Sequence, residues 1–134
     1  MHITDTNHVT FIVADLRATR HFYCDVLGMT EAPRPATFNF GGAWYRAGPA
    51  EIHVIQREDA SQPPGDIPPA PTEQADLGRA RHVGFTIENV DGCLRTLAQH
   101  NVPVVLGPRP RGDGAIQLYC YDPDGHLVEL CTRP

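Results

Sequence analysis

The chain has no lysine; its 11 basic residues are all arginine, and one serine, Ser61, occurs in 134 residues. Without lysine there is no Schiff-base amine and no phosphate-loop lysine. The lone serine lies beside Pro63 and Pro64, outside any Gly-x-Ser-x-Gly turn, which argues against a serine triad. Long apolar runs are also missing, and no segment reaches the roughly 20 residues of a membrane helix. The formal charge of −5 is the wrong sign for a nucleic-acid groove. Met1-His2-Ile3-Thr4-Asp5 lacks a basic stretch followed by an apolar one, so no secretory signal is read. The four cysteines (Cys24, Cys93, Cys120, Cys131) form no Cys-x-x-Cys pair and sit in apolar patterns. Reduced core thiols in a cytoplasmic protein are the expectation.

What is there is an ordinary domain, 1–134, with 41% hydrophobic residues and seven histidines. A chain of this length makes one core and needs no staples. The chemistry left open is that of His, Asp, Glu, Cys or a bound metal.

The domain is written twice. Asn7-His8-Val9-Thr10-Phe11-Ile12-Val13 aligns with Arg81-His82-Val83-Gly84-Phe85-Thr86-Ile87, a period-two strand pattern headed by histidine. A helix is expected after each strand. Asp15 caps the first and Gly28 stops it; Asp91 caps the second and Asn101, in left-handed conformation, ends it before Pro103. Strands are then expected near 30–32, 36–46 and 50–56, and near 103–107, 114–121 and 127–132. This predicts an α+β fold of two tandem βαβββ modules, 5–57 and 81–134, in curled mixed sheets. The intervening 58–80, with five prolines between Pro63 and Pro71, reads as a linker or loop.

Strand parity selects the polar residues that avoid the core. His8 and His82 oppose Val9/Phe11 and Val83/Phe85, His53 shares a face with Glu51, and Glu129 opposes Val128 and Leu130. His53 and Glu129 fall on equivalent strands, as His8 and His82 do. The repeat symmetry therefore predicts that these four converge. Any one alone would read as an ordinary strand histidine or carboxylate. Together they suit a divalent metal such as Ni, Zn, Fe, Mn or Co. His2, His21, His100 and His126 are expected at the solvated surface.

His8-Val9-Thr10-Phe11-Ile12-Val13-Ala14-Asp15-Leu16 with Phe22-Tyr23-x-x-Val26-Leu27-Gly28-Met29, and Asp122-Pro123-Asp124-Gly125-His126-Leu127-Val128-Glu129-Leu130, resemble the opening and closing modules of the vicinal oxygen chelate superfamily. That superfamily holds glyoxalase I, bleomycin-resistance proteins, fosfomycin-resistance enzymes, methylmalonyl-CoA epimerases and extradiol dioxygenases. The resemblance implies a concave metal site with His8, His82 and Glu129 as ligands. It also implies a small-molecule substrate chelated through neighbouring oxygens, and a homodimer. His53 stands where glyoxalase I has a ligand glutamate that is also the base, so His53 is either a fourth ligand or the base. Leu118-Tyr119-Cys120-Tyr121-Asp122-Pro123 resembles part of the dioxygenase signature, but no histidine stands near Pro110–Gly112. The leading expectation is a glyoxalase I-like lyase/isomerase with Glu129, His53 and Tyr119 as catalytic residues. An extradiol dioxygenase with non-haem Fe(II), or a metal-free binding protein, stands as the alternative. Thr10, Ile12, Phe38 or Phe40, Tyr119 and Tyr121 would line the cavity, and Arg109 or Arg111 would reach a substrate carboxylate or phosphate.

Overall fold

The structure, a computed structural model, describes residues 1–59 and 74–134. The chain forms two compact units, Met1–Gly65 and Asp66–Pro134. The first runs β1 (Val9–Val13), α1 (Leu16–Arg20) continued by a π-helical segment (His21–Val26), β2 (Thr30–Ala32), β3 (Gly42–Ala47) and β4 (Ala50–Gln56). The second opens with a 3-10 helix (Gln74–Arg79), then β5 (Val83–Thr86), α2 (Val90–Gln99), β6 (Leu106–Pro110), β7 (Ile116–Tyr121) and β8 (Leu127–Cys131). Each unit holds a four-stranded sheet, ordered β1-β4-β3-β2 or β5-β8-β7-β6. The first and last strands of each unit pair in parallel and the rest are antiparallel, so both sheets are mixed. The α+β architecture read from the repeat is the one observed.

The caps explain where the helices start. Asp15 Oδ1 accepts from the Arg17 and Ala18 amides at 2.7 and 3.1 Å, and Gly28 takes the left-handed conformation that ends the segment. In the second unit the cap is Asn89, not Asp91. Its Oδ1 accepts from Gly92 N at 2.6 Å, because the helix begins one residue before Asp91, which falls in the first turn. Asn101 ends that helix at φ +57°, as the sequence predicts.

Two strands are displaced from expectation. Residues 36–41 stay out of β3 because the chain turns there. The Phe38 amide donates to the Pro35 carbonyl, and Arg34 Nη1 donates to the carbonyls of Phe40 and Gly42. β6 starts at Leu106 rather than 103, because the Val102 amide returns to Leu97 O and closes the helix. Of the expected linker, 60–73 lies outside the described residues. Its end forms the 3-10 helix, and Leu77 there is buried against Leu106, Tyr119 and Leu127.

His126 departs from the surface expectation. It is 7% exposed, because the turn at Asp122–Gly125 folds it back: Asp122 Oδ1 accepts the His126 amide at 2.8 Å, and Asp122 Oδ2 lies 2.7 Å from Nδ1. Val9 also departs from the core expectation, being exposed at the start of β1, while Val13 is fully buried. All four cysteines are free thiols, with Cys120 and Cys131 buried. Among the described residues no helix is long and apolar enough to cross a membrane.

The registers assign faces. In the first sheet Ile52 and Val54 are buried, and Tyr23 stacks on Tyr45 at 5.5 Å on the helix-covered side. Glu51 and His53 alternate to the other side, beside Thr10, Trp44 and Arg46. In the second sheet Leu118, Cys120, Val128 and Leu130 take the buried side, and Gln117, Tyr119, Glu129 and Cys131 the opposite one.

Candidate metal centre

In the second unit His82 stands immediately before β5, and Glu129 lies in the middle of β8 opposite Gly84. His82 Nδ1 is 2.7 Å from the Ala80 carbonyl, which can only accept, so Nδ1 carries the proton. Nε2 then directs its lone pair at Glu129 Oε2, 2.9 Å away. Two acceptors cannot face each other at that distance without a cation between or upon them. A second proton on the ring or a metal ion meets that need. A histidine whose other ring nitrogen donates to a backbone carbonyl is the arrangement that metal-ligating histidines adopt.

Glu129 has a further unmet demand. Its Oε1 is buried and accepts no hydrogen bond among the described residues, with Arg111 Nη1 at 3.6 Å. Burying a carboxylate oxygen this way is costly unless a positive group completes it. Arg111 is occupied elsewhere, by a two-pronged contact to Asp113 and a 3.2 Å contact to Cys131 Sγ. The donor set at His82 and Glu129 therefore fits a divalent cation. Tyr119 closes the site from the side. Its ring meets His82 edge-on at 5.5 Å and its hydroxyl donates to Gln117 Oε1 at 3.1 Å. Burial, with the Glu129 carboxylate adding to it, pushes the phenol up, so it stays a donor.

In the first unit His8 precedes β1 and stacks on His53 of β4, centroids 3.9 Å apart, and His53 stacks in turn on Trp44 at 4.2 Å. His8 Nδ1 is 2.7 Å from Asn7 Oδ1, which accepts its proton and leaves Nε2 as the electron-pair donor. His53 uses the other nitrogen. Its Nε2 contacts Glu51 Oε1 at 2.5 Å, and Glu51 also pairs with Arg46. Arg46, and then His53, hold the Glu51 carboxyl below the usual range, so it remains an acceptor and the lone pair of the His53 ring lies on Nδ1.

Of the sequence-predicted residues, the structure brings His8 to His53 and His82 to Glu129, one pair in each unit. Among the described residues no group of three or more His, Cys, Asp or Glu side chains has the geometry to hold a metal by itself. Sequence reading passed over Gln117, Trp44 and the role of Glu51 as partner of His53. The signal for Glu51 was available: a carboxylate two residues before a histidine on one strand shares its face.

A mixed sheet with polar donors on one face, built twice from the same element order, defines a duplicated βαβββ protein. The family model of the Glyoxalase/Bleomycin resistance protein/Dioxygenase superfamily matches residues 6–130, and the chain belongs to that superfamily. It is similar to Glyoxylase I 4 of Arabidopsis thaliana, 26% identical over 133 residues, covering 98% of this chain and 72% of that protein. It is also similar to Metallothiol transferase FosB of Staphylococcus saprophyticus, 29% identical over 135 residues, covering 97% of this chain and 78% of that protein. Among solved structures, a glyoxalase/dioxygenase from Nostoc punctiforme matches with TM-score 0.77 at 25% identity, covering 97% of this chain and 91% of that one.

Proposed function

We propose that the protein is a divalent-metal-dependent enzyme of glyoxalase I-like lyase/isomerase type, acting on a small substrate that presents neighbouring oxygens. His8, His82 and Glu129 are the proposed donors, and His53 is either a fourth donor or the base. The observation that supports this most is the His82 Nε2–Glu129 Oε2 contact, with Nδ1 already committed to Ala80 and Glu129 Oε1 lacking a hydrogen bond. When bound, a divalent ion would supply Lewis-acid polarisation of the substrate oxygens.

The chain's own groups have separable tasks. His53, with Nε2–H held by Glu51, has Nδ1 available to take a proton from substrate, the arrangement of a base oriented by a carboxylate. Tyr119 fixes the plane of the His82 ring. Arg109 is the arginine suited to a substrate carboxylate or phosphate, since its Nε is buried without a hydrogen-bond partner among the described residues while Arg111 is bound to Asp113. The free thiols support a cytoplasmic setting, and the family resemblance a homodimer. A second reading, metal-assisted thiol transfer, is supported by the likeness to FosB.

The test is elemental analysis of untagged protein together with calorimetric titration of Ni, Zn, Fe, Mn and Co into wild type, His82→Ala and Glu129→Ala. Stoichiometric metal in wild type, lost in both variants, is expected. A wild type that neither carries nor takes up any of these ions would overturn the reading. Turnover of a hemithioacetal then separates the lyase/isomerase from the thiol-transfer reading. His53→Ala with full metal and unchanged turnover would remove His53 from the site.

A further inference from the structure

Besides the two donor pairs, the first unit holds a half-buried cation that its own fold leaves incompletely satisfied. Arg34 precedes Pro35, which biases its backbone to an extended conformation. Its Nη1 donates to the carbonyls of Phe40 and Gly42, at 3.1 and 2.9 Å. Gly42 makes room for the guanidinium: a Cβ there would come within 3.3 Å of Arg34 Cζ and Nη2. Nε and Nη2 are both buried and have no hydrogen-bond partner among the described residues. These two nitrogens form one edge of the guanidinium fork, the edge that holds both oxygens of a carboxylate in parallel.

The guanidinium itself lies over aromatic rings. The guanidinium carbon lies 5.3 Å from the Phe38 ring centroid and 4.9 Å from that of Phe40. Ring faces offset the positive charge but provide no acceptor in the direction of the two N–H groups. Both phenylalanines are unusually open for their type, 41% and 38% exposed, and they stack on each other at 5.3 Å. Phe38 also meets Trp44 edge-on at 5.9 Å. A ladder of rings thus runs from the guanidinium to Trp44 and on to His53.

We propose that Arg34, with Phe38, Phe40 and Trp44, forms a binding subsite for a small planar aromatic carboxylate. The carboxylate takes the Nε/Nη2 edge once a phenylalanine ring turns aside, and the aromatic ring of the ligand lies against the rings that remain. The two orphan donors supply the anion specificity and the exposed rings the preference for a flat ligand. The subsite belongs to the first unit alone, and its Trp44 wall is also the ring that stacks on His53.

The test uses the full chain freed of metal by chelation, so that neither outcome depends on metal binding. Trp44 is the only tryptophan. Its fluorescence and its single indole N–H resonance report binding of 2-naphthoate, of neutral 2-naphthylmethanol and of cyclohexanecarboxylate. Saturable binding of naphthoate is expected, with the alcohol and the non-planar acid each weaker by about tenfold or more. Arg34→Gln should weaken naphthoate by about tenfold or more, with Arg34→Lys in between because it keeps the charge and loses the fork. Equal affinity for naphthoate and its alcohol, or an unchanged affinity in Arg34→Gln, would overturn the proposal. Should Arg34→Gln fail to fold, Phe40→Leu is the second variant. It should cost naphthoate more than cyclohexanecarboxylate, and an equal loss for both would count against the subsite.

Discussion

His82 and His53 show how a single hydrogen bond decides what an imidazole can offer. Ala80 O fixes the proton of His82 on Nδ1 and frees Nε2; Glu51 fixes that of His53 on Nε2 and frees Nδ1. Parity arithmetic on the strands was enough to place these side chains on the faces away from the core, because one buried face fixes the other. It did not reveal which nitrogen each ring presents, since that depends on neighbours two residues away and their backbone angles. Arg34 was illegible for a similar reason: its contacts are to carbonyls six and eight residues on, reached only because 36–41 turns instead of extending. Surface ion pairs can be tested at the same scale. Arg111 donates to both oxygens of Asp113 and, with the Ala115 amide, holds its carboxyl down to about 2. Because the folded value lies below the unfolded one, the pair's contribution is present above the ordinary carboxylate range. It is lost only as pH falls through about 2. Carboxyl carbon NMR should place the Asp113 midpoint near 2 in wild type, and back in the usual carboxylate range in Arg111→Ala.

Among the elements, the first helix start and the strand starts at 30, 50 and 127 were readable to the residue, while β3, β6, β7 and the second helix cap were displaced by two or more. Asp15 and Asn101 act as their residue types suggest, because capping is a local transaction between a side chain and the next few amides. The second N-cap was misassigned because Asn89 and Asp91 are both good caps, and the sequence does not state which residue precedes the first helical turn. The two differ measurably. Asn89→Ala removes an accepted amide proton and should cost about 1 kcal/mol in urea unfolding. Asp91→Ala loses only a favourable charge near the helix N-terminus, worth a few tenths of a kcal/mol by the same measurement. The end of the proline-rich segment was opaque in another way. Leu77 is one apolar residue among polar ones, and its burial depends on Leu106, Tyr119 and Leu127, which lie far along the chain.

For the molecule as a whole, duplication made most of the architecture legible: two copies of one pattern give two sheets with one strand order. It also leaves matched positions that have diverged, so that His53 stacks on His8 where Glu129 forms an ion contact with His82. A metal at about a hundred times its Kd should stabilise the chain by about 2.7 kcal/mol, read as a rise in Tm that chelation reverses. His82→Ala and Glu129→Ala should each abolish that rise. The register of β4 carries one more implication. Glu51 and His53 alternate with Ile52 and Val54, which are 1% exposed, so a slip of one residue would carry a carboxylate and an imidazole inward and two aliphatic side chains outward. The strand that presents the proposed base is thus proofread by the same pairing that builds the core. A chain mispaired in this strand forfeits stability and the proposed chemistry together.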